Sequence, residues 1–332
     1  MAELKIADIL TAEIWTPEMF NEAPVLKNVL ESGLLVVGNN ELSTLVNANG
    51  AGKRFEMPYI DELDYAEPEY MDDSDNELSV NNFSGDTAYA VVTMAQKSWG
   101  YANIIRDLER AGSNSLEVFT NIIGNYWGYD LQNRTIAIAK GLADKAGDAL
   151  TLDVADDSSD GADVLLIPSI IVDGISKQGD NQDKFGFMFL HSKVYADLKK
   201  QNLIDTVIPS DNTAKPIQMY GNYRVVVNDL MPVIQGDNKK KYVTLISQSG
   251  LLAYADKTMS DDMPIFEKDR NPRVGYGGGS TALITRRGFA VHPIGWSYTK
   301  TMNPTLADLG NKDNWTMKFK AKQQKFVAII TN

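Results

Sequence analysis

Apolar positions recur at steps of mostly three and four along residues 114–145: Leu116, Phe119, Ile123, Trp127, Leu131, Ile138 and Leu142. That spacing keeps one stripe on one face and predicts a single long helix. Asn114 with Glu117 three residues on reads as a capping-box-like start, the amide accepting an orphan backbone N–H while the carboxylate reaches back. At about 1.5 Å per residue the segment spans roughly 40 to 48 Å. Such a rod suits a spine under a flat molecule. Gly124 and Gly128, four apart, cost about 1 kcal/mol each against alanine but leave a bare strip where another backbone can approach.

Before the spine, Thr16-Pro17-Glu18 reads as a cap and first turn, Phe20, Ala23, Leu26 and Leu30 give that helix its apolar side, and Gly33 ends it. Residues 32–38 (SGLLVVG) predict a short strand leading to a loop at 47–53. Residues 98–112 predict a second, shorter helix with Trp99, Ile105 and Leu108 inward. After a turn-rich stretch, 151–164, a helix is expected over 168–177 and a buried strand over 185–190, and Ser192 caps a further helix. Strand-like runs follow at 217–220, 223–228, 242–247, 282–286, 289–292 and 325–331. Helices interspersed with strands make the chain α+β.

One stretch departs from the rest. Between Phe55 and Ala95 there are eleven acids and no Lys or Arg. Tyr59, Tyr65 and Tyr70 precede the most acidic part; Leu78, Val80, Phe83, Tyr89, Val91 and Val92 follow it. Aromatic and β-branched flanks favour a pleated surface, so the stretch reads as a long hairpin projecting from the body, with a disordered acidic loop as the alternative. A lone two-stranded ribbon is marginal in water. An ordered one needs a surface to lie on, and its charge asks for a basic one.

Composition narrows the chemistry. The 332 residues carry 32 basic and 44 acidic side chains, a net charge of −12, which disfavours a protein devoted to gripping phosphates. There is no cysteine, so disulfides, thiolate metal sites and cysteine nucleophiles are excluded, and His191 and His292 are the only histidines. The amino end lacks the pattern of a secretory signal, and the richest apolar patch, 164–172, is far shorter than a membrane span and contains Pro168. ANGAGKR (48–54) fails as a phosphate loop, with Asn47 in place of the first glycine and Arg54 in place of Ser or Thr. DDSSDG (156–161) begins like a calcium loop, but its twelfth position is Ile167 where a bidentate Glu is required. The glycines at 275–279 lead into a strand and not a helix, so they make no anion cradle. No catalytic, cofactor or metal site is expected.

The blocks GKRFEMPYIDEL, QKSWGYANIIRDLERAGSNSLEVFTNIIGNYWGYDLQNRTIAIAKGL and FLHSKVYADLKKQNLID, followed by MYGNYRVVVNDLMPV, YVTLISQSGLLAYAD, IFEKDR, ALITRRGFAVHPIGWSY and NPTLADLGNKDNW, resemble in that order the major capsid proteins of tailed bacteriophages with the Hong Kong 97 fold. The resemblance implies an N-terminal arm at 1–46 and an extended loop, the acidic hairpin, at 47–97. It further implies a peripheral domain with the spine helix at 98–148, an axial domain at 149–286, and a return to the peripheral domain at 287–332. It implies copies tiling an icosahedral shell in hexamers and pentamers around double-stranded DNA, without sequence-specific binding and without a membrane. Assembly is expected in the host cytoplasm, with a separate scaffolding protein and a portal as partners and a decoration protein as a further one the family allows. The isopeptide weld of some relatives starts from an extended-loop lysine, and residues 55–96 hold none. The acids expected to make intersubunit contacts are Glu67, Glu69, Asp72, Asp73, Asp75 and Glu77, with Arg286, Arg287, Lys318 and Lys320 as candidate partners. The rival with the same fold is an encapsulin shell; a metal-dependent hydrolase and a monomeric binding module are the rivals of other classes.

Overall fold

The computed structural model describes residues 34–37, 40–48, 54–63, 65–71, 80–102, 115–159, 161–207, 217–259, 264–274, 278–300 and 302–332. The helix expected at 16–33, residues 103–112 of the one expected at 98–112, the Asn114 cap, Gly275 and Gly277 lie outside them.

The spine is a helix over Ser115–Ala146, 32 residues and so about 48 Å long. Of its stripe, Ile123, Trp127, Ile138 and Leu142 are buried and Leu131 half-buried, while the side chains of Leu116 and Phe119 lie outside those described. The contact differs along its length. Toward the amino end Ile123 and Trp127 cluster with Leu283, Trp99 and Ala95, and the Trp127 indole N–H donates to Thr285 Oγ1 at 3.0 Å. Toward the carboxyl end Ile136, Ile138, Ala139, Leu142 and Ala143 enter the main core with Trp296, Trp315 and Phe326. Burying each large apolar side chain contributes about 1.5–3 kcal/mol, so the second half anchors the helix. The close backbone approach is not at Gly124, which has nothing within 4 Å, but at Gly141, against the Leu309 carbonyl.

Two sheets flank the spine. The larger has the order Thr151–Asp153, Phe326–Thr331, Lys240–Ser247, Phe187–Leu190, Tyr223–Val227, Ile217–Tyr220, Asp205–Val207, with Val233–Gln235 beside Lys240–Ser247. Phe326–Thr331 is buried throughout, as a strand covered on both faces must be. Alternation divides it: Phe326, Ala328 and Ile330 face the spine core, while Val327 and Ile329 pack under the helix Pro168–Ser176 with Ile171 and Ile175. The second sheet is built on one long strand, Ser280–Pro293. It pairs with Thr93–Ala102, Phe266–Asn271 and Leu252–Lys257, and the last of these pairs in parallel with Leu35–Val37.

Several sequence readings change. Residues 98–102 are not the start of a helix but the end of the strand Thr93–Ala102, because a ten-pair ladder with Ser280–Phe289 outweighs local spacing. The runs at 282–286 and 289–292 are parts of one strand, and the boundary expected at 286/287 falls inside it. The cap of the helix Ser192–Lys200 is His191, whose Nδ1 accepts the Lys193 N–H at 3.1 Å, and not Ser192. A helix at Asn40–Ala48 follows the first strand.

Candidate subunit interface

Arg54–Ile60 and Gly85–Val91 form an antiparallel pair, in register from Arg54↔Val91 to Ile60↔Gly85. Its root is fastened by the kinds of contact its sequence supplies. Phe55 is buried with Leu42, Val46, Ala90, Val92, Ala253, Ala255 and Ala290. Arg54 stacks over the Tyr89 ring at 4.1 Å and donates to the Thr299 carbonyl. Tyr59 meets Phe319 edge-on at 5.2 Å, and its hydroxyl donates to Asp86, which also accepts from Lys318 Nζ at 2.6 Å. That lysine, then the Thr87 N–H, holds the Asp86 carboxyl below the usual carboxylate range. One further backbone bond, Asp61 N–H to Ser84 O, closes the ladder.

Beyond it Glu62 still accepts from the Gln323 side-chain amide, while the apolar side chains of the projection stand in solvent. Ile60, Tyr65, Tyr70, Met71, Val80 and Phe83 are each at least 74% exposed. Scattered apolar residues are ordinary on a surface, but six on one projection mark a contact face. The ladder is therefore shorter than the flanks imply: of the side chains expected to stiffen it, Tyr65, Tyr70, Val80 and Phe83 point into solvent, Val91 and Val92 are buried at the root, and Leu78 lies outside the described residues.

Of the candidate acids, Glu67 and Glu69 are exposed on this projection, and the Tyr70 hydroxyl donates to Glu67 at 2.9 Å. Asp72, Asp73, Asp75 and Glu77 lie outside the described residues. Carboxylates of the same chain meet Arg286 (Glu267 at 2.7 Å), Arg287 (Asp256 at 3.2 Å, beside the Tyr254 hydroxyl) and Lys318 (Asp86). Lys320 stands exposed on the rim of a cavity that also holds Lys184, Lys322 and Lys325. Sequence reasoning missed that cluster, since its members come together only when residues 179–184 pack beside 320–325.

The calcium-like acids hold turns together. Asp157 accepts N–H groups from Asp237, Asn238 and Lys239 at 2.9, 3.1 and 3.0 Å, and Asp156 accepts from Ser158. These hydrogen bonds depress both carboxyls. Asp160 lies outside the described residues.

A second cavity, apolar and of about 600 Å³, opens beside the ribbon root between Leu45, Met57, Ile294 and Phe319, with His292 in its wall. His292 is buried, and a carbonyl can only accept, so its Nε2 carries the proton and donates to Trp296 O at 2.8 Å. Burial pushes the imidazole from 6.5 down to about 4. Between those pH values the unfolded chain binds a proton that the folded chain does not. Stability is therefore complete above pH 6.5 and falls as pH drops toward 4, by up to about 3 kcal/mol from this group. Urea titrations of the unassembled subunit across that window should show the slope, and His292→Asn should flatten it; an unchanged slope would assign the proton elsewhere.

No family model matches the chain. Among curated proteins it is 28% identical to the major capsid protein of Bacillus phage SPP1, over 98% of each chain. Among solved structures, the capsid of Ralstonia phage GP4 superposes with a TM-score of 0.57 at 11% identity, covering 91% of this chain and 90% of that one. The SrpI encapsulin of Synechococcus elongatus PCC 7942 gives 0.51 at 7% identity, covering 99% and 95%. The chain thus has an α+β fold of the Hong Kong 97 type, and its likeness to the SPP1 protein bears out the resemblance to tailed-bacteriophage major capsid proteins.

Proposed function

We propose that this chain is the major capsid protein of a tailed bacteriophage, a structural subunit whose task is to tile a closed shell. The end-to-end likeness to a curated major capsid protein carries the reading, at 28% identity against 7% for the encapsulin structure. A projection rich in acids and exposed aromatics supports it, because such a surface is stabilised only by a neighbour. The finer reading follows from the family. Copies form hexamers and pentamers, with ribbon and spine flexing between the two ring sizes. A separate scaffolding protein and a portal direct assembly in the host cytoplasm, a decoration protein can add to the finished shell, and the shell encloses DNA without sequence-specific contact. Residues 1–46 serve as the arm, 47–97 as the extended loop and 98–148 as the spine region. Residues 149–286 are the proposed axial domain and 287–332 the return to the periphery, with the long strand Ser280–Pro293 crossing from one to the other.

Electron microscopy of the chain co-expressed with its scaffolding protein tests this. Closed shells of uniform diameter are expected. Lone compact molecules at high concentration, with the scaffolding protein present, would overturn it.

A further inference from the structure

The basin on whose rim Lys320 stands runs against the charge of the chain. Net charge is −12, yet Lys184, Lys320, Lys322 and Lys325 converge on one open cavity of about 770 Å³. Among the described residues no carboxylate lies within ion-pair distance of Lys184, Lys322 or Lys325; Lys184 donates to Asn181 Oδ1 at 2.7 Å and Lys325 to the Gly250 carbonyl at 3.2 Å. Asn181 in turn donates to the Lys322 carbonyl at 2.8 Å, which ties the two lysine-bearing segments together. Among the described residues the carboxylate at the rim is Glu62, held by the Gln323 side-chain amide. Glu62 belongs to the root of the acidic ribbon, so the rim already accepts an acid of this very stretch.

We infer that the basin is the acceptor for the acidic ribbon of a second copy of this chain, taking carboxylates from the stretch 67–77. The inference rests on the shell reading above and replaces Arg286, Arg287 and Lys318, which carboxylates of their own chain engage, as the principal partners. Charge complementarity selects the occupant: residues 55–95 hold eleven acids and no Lys or Arg, a concentration of negative charge that a positively lined cavity steers and orients. The chain's own ribbon does not fill the basin with Glu67, which accepts from Tyr70 on the same projection.

The absence of cysteine gives a direct test. Subunits carrying Glu69→Cys or Asp73→Cys are mixed with subunits carrying Lys322→Cys, assembled with scaffolding protein and oxidised. A covalent dimer absent from either variant alone is expected. In parallel, Lys184→Glu/Lys322→Glu/Lys325→Glu should leave the subunit folded and lower shell yield by about tenfold or more. Combining it with Glu67→Lys/Glu69→Lys/Asp73→Lys should recover most of that loss. Normal shells from the lysine variant overturn the inference, whether DNA retention is normal or reduced; reduced retention would assign the basin to DNA. So does a crosslink confined to one chain when both cysteines are placed in the same subunit, or a combined variant that stays folded but does not recover. Failure of the unsubstituted chain to form any shell sinks the shell reading instead, which separates the two.

Discussion

Replacing Tyr65, Tyr70, Met71 and Phe83 together by serine should leave the free subunit as stable as before and abolish closed shells. The first half follows from exposure: the four side chains lie in solvent at 74 to 102% of full accessibility, so folding gains nothing from burying them. Surface substitutions of this kind change stability by no more than about 0.5 kcal/mol. Among the described residues the hydrogen bond lost is the local one from Tyr70 to Glu67. The second half follows from what a neighbour must cover. Burial of four such side chains is worth about 1.5–3 kcal/mol each before the costs of association, and every subunit of a shell repeats the contact. Urea unfolding of the monomer and electron microscopy of the assembly reaction read the two halves separately. A variant that unfolds earlier would show that the projection folds back on its own body; one that assembles normally would show that no neighbour uses this face.

The same contrast explains what the sequence disclosed and what it hid. The spine was legible because apolar positions at helical spacing, buried or half-buried from Ile123 to Leu142, recur through a helix of 32 residues. Strands with apolar runs, such as Tyr223–Val227 and Phe326–Thr331, were legible for a similar reason. Phe266–Asn271 was not read as a strand. All six of its residues are exposed, and it is held by six ladder pairs to Ser280–Thr285, which no local pattern announces. Residues 98–102 were misread because Trp99, Ile105 and Leu108 fit a helix, whereas Trp99 packs edge-on against Tyr126 of the spine at 5.3 Å from a strand. Of the interface, the acids were visible as composition. Their acceptor was not, since lysines 184 and 325 are 141 positions apart and share a cavity only through tertiary packing. The cations chosen from sequence were conspicuous by adjacency, Arg286 beside Arg287, yet a strand sends neighbours to opposite faces and each finds its own carboxylate.

Two glycines of the spine should respond to substitution with opposite sign. At Gly124 an added methyl meets nothing within 4 Å, so Gly124→Ala should stabilise the subunit by up to about 1 kcal/mol through helix propensity alone. At Gly141 the first carbon of a side chain would press on the Leu309 carbonyl oxygen and lie 2.9 Å from Trp315 Nε1. Those two atoms are hydrogen-bonded to each other at 2.7 Å, and Trp315 is only 1% exposed. Gly141→Val must therefore separate the helix from the turn at Leu306–Leu309, at a cost of about 1–3 kcal/mol for overpacking. It must also leave a buried indole N–H without its acceptor, at about 1–3 kcal/mol more. A loss near 4 kcal/mol, from urea unfolding of the monomer, is the expected result. Should both variants unfold at the denaturant concentration of the unsubstituted chain, the spine would not be seated on Leu309 and Trp315. The anchoring of its second half would then have to come from the sheet alone.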